Sequence, residues 1–271
     1  MKTFTHPDTG KTFKLGRNRP NPTMVEHALK MRMFAVPAPP EPPAKTDYST
    51  KAKESLHNIF GNDLEGDCTI ACAAHITGVL TGNNGGGVFI PTLAQVNAMY
   101  SACEGPPGFP AIDEGCDEIT VLNYWKRHGL AGHLIQHWMT VDATNIRECQ
   151  TALWLFENLV LTMELPDAYV DPFPSADNFI WNVEGDPIPE NGHCIAAVDY
   201  DFRREDHHRI HVATWGMEGK MTPAAMAKYC IPEAGGGCYV VLSQEAISKG
   251  IAKAPNGLDW AALQSAFNAL N

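Results

Sequence analysis

The stretch Asn62-Asp63-Leu64-Glu65-Gly66-Asp67-Cys68-Thr69-Ile70-Ala71-Cys72-Ala73-Ala74-His75 puts one cysteine where a turn-forming run meets an apolar, Ala-rich segment. At a helix N-terminus the aligned backbone dipoles favour a thiolate over a thiol, which makes Cys68 a candidate nucleophile. Far downstream, Asn191-Gly192-His193-Cys194-Ile195-Ala196-Ala197-Val198-Asp199-Tyr200-Asp201 is a turn feeding an apolar strand with a histidine at its start. A cysteine on a helix N-terminus and a histidine entering a distant strand can meet as nucleophile and base. The imidazolium would hold the thiol ionised and the thiolate would attack an amide or ester carbon. His193 would then protonate the leaving group and later activate a water.

Such a pair needs a buried helix and a sheet to position it. Residues 68 to 80 read as a helix with little polar surface: Ile70, Ala71, Ala74, Ile76 and Val79 are spread around it. Thr92 opens a second helix through Ser101, and a third runs from Asp117 to Gly129, where the glycine is a stop. Asp142 to Asn158 reads as a fourth, starting from an Asp or Thr cap. The strands come later: Val160 to Leu165, then His193 to Asp201 and Arg209 to Trp215 as a hairpin, then Cys238 to Ser243. A short helix starts at Met221-Thr222-Pro223-Ala224, and Asp259 to Leu270 reads as a C-terminal helix. Helices early and strands late argue for an α+β fold. A long Pro/Gly loop spans Gly105 to Gly115, and loops of that length are often functional.

Ahead of this domain, residues 1–50 form a basic, Pro-rich arm. It carries turn signals, a short helix at Met24 to Met33, and a polyproline-like run at 36–43. The domain proper is 51–271.

The residues quoted so far resemble the papain-like cysteine peptidase superfamily over roughly residues 56 to 245. Gly66-Asp67-Cys68 is similar to the family's small-residue approach to its nucleophile, and Asn62 stands six residues earlier, where the family has a Gln in its oxyanion hole. Gly192-His193 and the strand after it are similar to the family's histidine strand. Val212-Ala213-Thr214-Trp215-Gly216 resembles the Asn-Ser-Trp-Gly strand that carries the third catalytic member.

The resemblance implies a helical half (about 56–158) packed against a β-barrel-like half (about 159–245), with the cleft between them. It implies a peptidase or amidase working through a thioester, with no cofactor and no metal. The side-chain amide of Asn62 and the backbone N–H of Cys68 become the oxyanion donors, although Asn is one methylene shorter than Gln. Ala213 occupies the orienting Asn position and cannot orient an imidazole, so Thr214 is the candidate orienter and Trp215 a cover for the pair. Asp113-Glu114-Gly115-Cys116 resembles the segment lining the family's cleft, with Gly115 pairing an extended peptide and Trp215 as a second substrate-side residue. The departures leave three outcomes open: a dyad enzyme, a triad completed from elsewhere, or an inactive fold kept as an interaction or virion structural module. The branch resembled is a divergent bacterial or bacteriophage one. Relatives often carry an inhibitory propeptide, so this segment could cross the cleft as a pro-segment does; residues 1–50 show no helical propeptide pattern, and the reading preferred is a surface clamp or an interaction arm.

Charge separates the two parts. The chain of 271 residues has net charge −11, and residues 1 to 33 hold seven Lys/Arg against two Asp/Glu. That stretch of the arm is therefore about +5 and the rest of the chain about −16 (−11 less +5). An acidic body argues against a nucleic-acid-binding core. The basic arm can dock on an acidic partner, on nucleic acid, or on its own domain. No apolar run is long enough to span a bilayer, and the N-terminus lacks a secretory h-region, so a cytoplasmic or virion location is expected. The expected partners are a peptide or protein substrate and a protein partner for the arm.

Plainer readings compete for the same residues. Cys68 can be a buried structural thiol, and Cys72, one turn on, reads as core. Cys68, Cys72 and His75 lack a fourth ligand, His133 and His137 sit in strand-like surroundings, and His207-His208-Arg209-Ile210-His211 reads as a solvated hairpin turn. Gly235-Gly236-Gly237 and the Asn83 to Gly87 run read as turns. Cys103 and Cys116 could pair only in an oxidising compartment.

Overall fold

The computed structural model describes residues 2–34, 41–104 and 113–243, together with Ser265 and Ala269. The expected C-terminal helix, most of the Gly105–Gly115 loop and part of the 36–43 run lie outside the described residues. Among the described residues there are eleven strands: β1 (Lys2–Thr5), β2 (Thr12–Leu15), β3 (Arg17–Asn18), β4 (Cys116–Asp117), β5 (Ile135–Thr140), β6 (Leu159–Glu164), β7 (Ile180–Trp181), β8 (Gly192–Asp201), β9 (Arg209–Thr214), β10 (Met217–Met221) and β11 (Gly237–Ser243). The α-helices joining these strands in the described segments 2–243 are α1 (Pro22–Glu26), α2 (Lys53–Leu56), α3 (Cys68–Asn84), α4 (Leu93–Glu104), α5 (Glu118–His128), α6 (Ile146–Phe156) and α7 (Pro223–Tyr229).

The main sheet has seven strands in the order β5-β11-β6-β8-β9-β10-β7, antiparallel except for the β10–β7 edge pair. The β-barrel-like half expected from the sequence appears only as this sheet: among the described residues it keeps two edges and closes no barrel. Side-chain alternation along β8 divides the core in two. Cys194, Ala196 and Val198 pack with α3, α4 and α5 on one face. Ile195 and Ala197 pack with α6, α7 and the arm residues Phe13, Leu15, Met31 and Phe34 on the other. The arm is thus built into the core, and each such side chain contributes about 1.5–3 kcal/mol of burial.

Helix α3 is buried from Cys68 to Thr81. Its apolar residues therefore surround the axis, where a surface helix would show a stripe. It runs on to Asn84, four residues past the expected end, and stops at Gly85 in the left-handed region. Helix α5 starts at Asp117, whose side chain accepts from Thr120 N–H at 2.9 Å, and stops at Gly129 as expected. Helix α6 starts later than the sequence suggested: Asn145, and neither Asp142 nor Thr144, is its cap, accepting from Glu148 N–H. Asp142 instead folds an Asx turn onto Thr144. The helix expected at Met24 to Met33 is split into α1 and a 3₁₀ turn, Met31–Phe34. Among the described residues no helix is long and apolar enough to cross a membrane, and no group of three His, Cys, Asp or Glu side chains is placed to hold a metal ion.

The seating of α3 depends on Gly78, where a Cβ would lie 2.2 Å from Ser55 Oγ and 2.4 Å from Ser55 Cβ. In an open helix Gly→Ala stabilises by about 0.5–1 kcal/mol. Here the clash reverses that sign, and Gly78→Ala is expected to destabilise by about 1–3 kcal/mol, the usual cost of overpacking. Urea unfolding monitored by circular dichroism checks this; an unchanged or raised midpoint would mean that α3 is not held against Ser55.

Candidate active site

Cys68 is the first residue of α3, as the sequence placed it, and is 1% exposed. The expectation of a thiolate fails in this state. Burial, aided by the neighbouring Cys194 thiol, pushes the Cys68 thiol well above its ordinary range, against the pull of backbone amides at Gly16 and Cys194. Burial likewise raises the adjacent Asp67 carboxyl. All eight cysteines are free and buried, Cys103 and Cys116 included.

His193 enters β8 fully buried. Its Nε2 lies 2.7 Å from Thr214 Oγ1, and its ring stacks on Trp215 with centroids 4.4 Å apart and planes 18° apart. Alternation along β9 explains why Thr214 is the contact: Ala213 pairs Ala196 in register and packs on the α3 side, so its neighbour faces the other way, toward the histidine. Trp215 is itself buried, with Phe13, Phe173 and Trp181 around it, so its ring covers the imidazole and lines no open surface. His193 Nδ1 is buried with no hydrogen-bond partner.

The chain's own arm runs against the segments that carry both residues. Gly16 lies so close to the loop before Cys68 that a Cβ on it would stand 1.8 Å from the Gly66 carbonyl oxygen. A Cβ on Gly115, whose φ is +81°, would stand 1.9 Å from the Gly16 oxygen, and one on Gly192 would stand 2.1 Å from the Arg17 oxygen. Three glycines with no room for a Cβ, Gly16, Gly115 and Gly192, thus let an extended backbone pass. Gly16 O accepts from Cys116 N–H at 2.9 Å, and Arg17–Asn18 pairs parallel with Cys116–Asp117. Asn62 holds the same segment: its carbonyl accepts from Lys14 N–H at 3.1 Å, and its Nδ2 donates to Lys14 O and to Glu65 O, both at 3.2 Å. The amide read as an oxyanion donor is therefore occupied by an arm carbonyl.

Charge secures the arm. Lys2, Lys14, Arg17, Arg19 and Arg32 pair with Asp167, Asp113, Glu118, Glu164 and Asp142. Of the three docking sites open to a basic arm, this structure uses its own acidic body. Asp113 links arm to cleft: it accepts from Gly66 N–H at 2.7 Å, Lys14 Nζ at 2.6 Å and the Tyr100 hydroxyl at 2.8 Å. Burial opposes its ionisation, but those three donors outweigh it and hold its carboxyl below the ordinary value. Sequence reasoning missed Gly16, Arg17 and Glu118, and it placed Asp113 in the cleft-lining segment without giving it a role. Glu118 had a sufficient explanation as an acidic residue in a helix's first turn, and nothing local distinguishes Arg17 from the other basic residues of the arm.

No protein-family model matches the chain, and no curated protein does. Solved structures do. Over 89% of this chain and 98% of its own, xylellain, a cysteine protease from Xylella fastidiosa, superimposes with a TM-score of 0.61 at 12% identity. The fold is papain-like. Procathepsin L2 from the larval midgut of Tenebrio molitor matches at TM-score 0.60 and 11% identity, over 88% of this chain and 78% of its own. The bromelain protease of Ananas comosus, in complex with the E64 inhibitor, matches at 0.51 and 10%, over 74% and 99%.

Two predictions follow from the histidine. Thr214→Val leaves buried Nε2 without a partner and is expected to cost about 1–3 kcal/mol, whereas Thr214→Ser retains most of the stability; chemical unfolding of both variants checks this, and equal losses would count against the hydrogen bond. The second concerns pH. Burial lowers the His193 pKa to about 3, and burial also lowers that of His75 to about 4. Both folded values lie below the unfolded value of about 6.5, so the unfolded chain binds protons first as pH falls. Their contribution is complete above pH ~6.5 and is lost between there and the folded values, at up to about 1.4 kcal/mol per pH unit for each histidine. Urea midpoints should fall steadily from pH 7 to pH 4.5, and less steeply in His75→Gln; a flat profile would show that these rings are solvated.

Proposed function

We propose that this chain is a cysteine peptidase of papain-like fold, held closed by its own N-terminal arm. The observation that carries the reading is the path of Lys14–Arg17, between the loop before Cys68, the Gly115 segment and the start of the histidine strand. An extended peptide fits there by backbone pairing and glycine contacts, which is how strand addition supplies affinity in a peptide cleft. With the arm displaced, water reaches Cys68 and the helix dipole again favours a thiolate. Cys68 Sγ would then bond to the carbonyl carbon, with the oxyanion stabilised by Cys68 N–H and the freed Asn62 amide. His193, oriented by Thr214 and covered by Trp215, would give its proton to the departing amine as the C–N bond breaks. A water, deprotonated by the same ring, would release the acid and restore the thiol. Residues 1–34 act in this reading as an inhibitory segment, in keeping with the proform state of the procathepsin neighbour.

A second reading draws on the same closed arm. Cys68 carries a raised pKa, His193 Nδ1 has no partner, and the arm shares the core. A papain-like fold kept as an interaction module would need no more than this.

Gly16→Val separates the two. Any side chain at Gly16 meets a backbone carbonyl, so the arm must leave the cleft. Cys68 alkylation by iodoacetamide, read site by site by mass spectrometry, is expected to rise at least about tenfold, the effect of a single unit of thiol pKa. Hydrolysis of a denatured protein probe should appear and vanish again on adding Cys68→Ala. A reactive Cys68 with no hydrolysis would favour the module, and a Cys68 still inert would defeat the inhibitory role of the arm.

A further inference from the structure

The arm shows which side chain the cleft is built to receive. Arg17 and Glu118 are each 1% exposed in their side chains. Arg17 Nε donates to Glu118 Oε2 at 2.8 Å and Nη2 to Oε1 at 2.7 Å, a parallel two-pronged pair, while Nη1 donates to the Gly235 carbonyl. Glu118 is fixed from behind as well: the Tyr239 hydroxyl donates to Oε1 at 3.0 Å and Thr162 Oγ1 to the same oxygen at 3.1 Å. Glu118 of α5 and the carbonyl of the turn before β11 thus hold the guanidinium, while side chains of β6 and β11 hold Glu118 in turn.

Every residue of that receptor belongs to the domain; only the guanidinium comes from the arm. Resting on the peptidase reading above, we infer that Glu118 is a specificity-determining residue, and that the opened cleft selects peptides carrying arginine next to the residue that meets Cys68. The adjacency follows from the arm, in which Gly16 lies at the nucleophile loop and Arg17 in the Glu118 site. Once the arm has left, Glu118 sits at the base of a narrow site with its inner partners still in place. A peptide arginine restores the pairing, and a leucine leaves the carboxylate desolvated and unpaired. Lysine, a point charge, can reach one oxygen but not satisfy both and the Gly235 carbonyl. Sites built around a polar partner discriminate more sharply than apolar pockets, because the analogue leaves buried groups unpaired.

The test uses the full chain carrying Gly16→Val and Arg17→Ala, so that the arm cannot refill the site. Fluorescein-labelled hexapeptides, identical except for arginine, citrulline or leucine at one position moved along the sequence, are titrated by anisotropy with Cys68→Ala also present. Citrulline keeps the shape of arginine and removes its charge, so the comparison needs no change to Glu118. Arginine at one position is expected to bind at least about tenfold more tightly than citrulline or leucine, and Glu118→Gln should erase the difference. Equal affinities for the three peptides overturn the inference whether or not anything is cleaved. Hydrolysis is then read with Cys68 intact. Cleavage adjacent to the preferred arginine supports both readings. Tight arginine binding without cleavage keeps the arginine site and defeats the peptidase reading. Cleavage indifferent to arginine keeps the peptidase and defeats this inference.

Discussion

The buried pair of Arg17 and Glu118 is the constraint from which the closed state follows. Two charges withdrawn from water are tolerated only with good geometry and further hydrogen bonds, and removing one partner strands the other. Glu118 meets that condition with the two-pronged arginine, Tyr239 and Thr162. Because its inner partners are fixed on β6 and β11, the carboxylate cannot turn away to solvent, and the arm must bring the compensating charge. Arg17 can reach it only if the backbone just before it threads the glycine passage at Gly66 and Gly115. That passage covers Cys68, and covering Cys68 raises its pKa. One buried ion pair and the burial of the Cys68 thiol are thus linked through the same short stretch of backbone.

Apolar contacts make the link cooperative. Phe13 stacks on Phe173 with centroids 4.9 Å apart and lies against Trp215, which in turn stacks on His193. The side chain that anchors the arm thus touches the ring that covers the histidine. An arm that lifts at Arg17 loses pairing at β3, and one that lifts at Phe13 uncovers the Trp215 face. Outward of both, the exposed pairs of Lys2 and Arg32 contribute little individually. They bias a +5 arm toward a −16 body at long range.

How much of this was legible in the sequence depended on how local each signal was. Helix α3 with Cys68 at its first position, and the hairpin carrying His193 and Thr214, were readable from apolar runs, a cluster of turn residues and strand alternation. Gly129 and Asp117 announced their helix ends through chemistry confined to one turn. The cap of α6 was not separable, because Asp142, Thr144 and Asn145 are all competent and only the path of the preceding strand selects one. The departure at Ala213 looked more damaging in sequence than in structure: Thr214, one residue on and therefore on the opposite face, is the side chain that reaches the imidazole. The arm's path was invisible for a different reason. It depends on Gly16 meeting Gly66, Gly115 and the Cys116 amide, three positions 50 to 100 residues away, and a single glycine in a basic segment does not reveal its partners.

One question remains for a peptide lying in the cleft of a proposed peptidase: why it would survive there. The answer lies in which backbone atoms face which groups. Gly16 presents its amide to the Cys68 sulfur, while its carbonyl points the other way, to Cys116 N–H. A sulfur facing an N–H meets a hydrogen-bond donor, whereas amide cleavage depends on a carbonyl carbon held in line with the attacking sulfur. The Asn62 amide holds a carbonyl, but that of Lys14, two residues removed from the Gly16 amide at the sulfur. The parallel register of Arg17–Asn18 on Cys116–Asp117 fixes this arrangement, since it sets which way successive carbonyls point. A peptide running antiparallel over the same edge would exchange the roles of its N–H and C=O groups, and would turn a carbonyl toward the sulfur. Inhibition and turnover would then differ by strand direction within one set of contacts, with Glu118 able to serve both because a side-chain site does not read the direction of the backbone that carries its ligand.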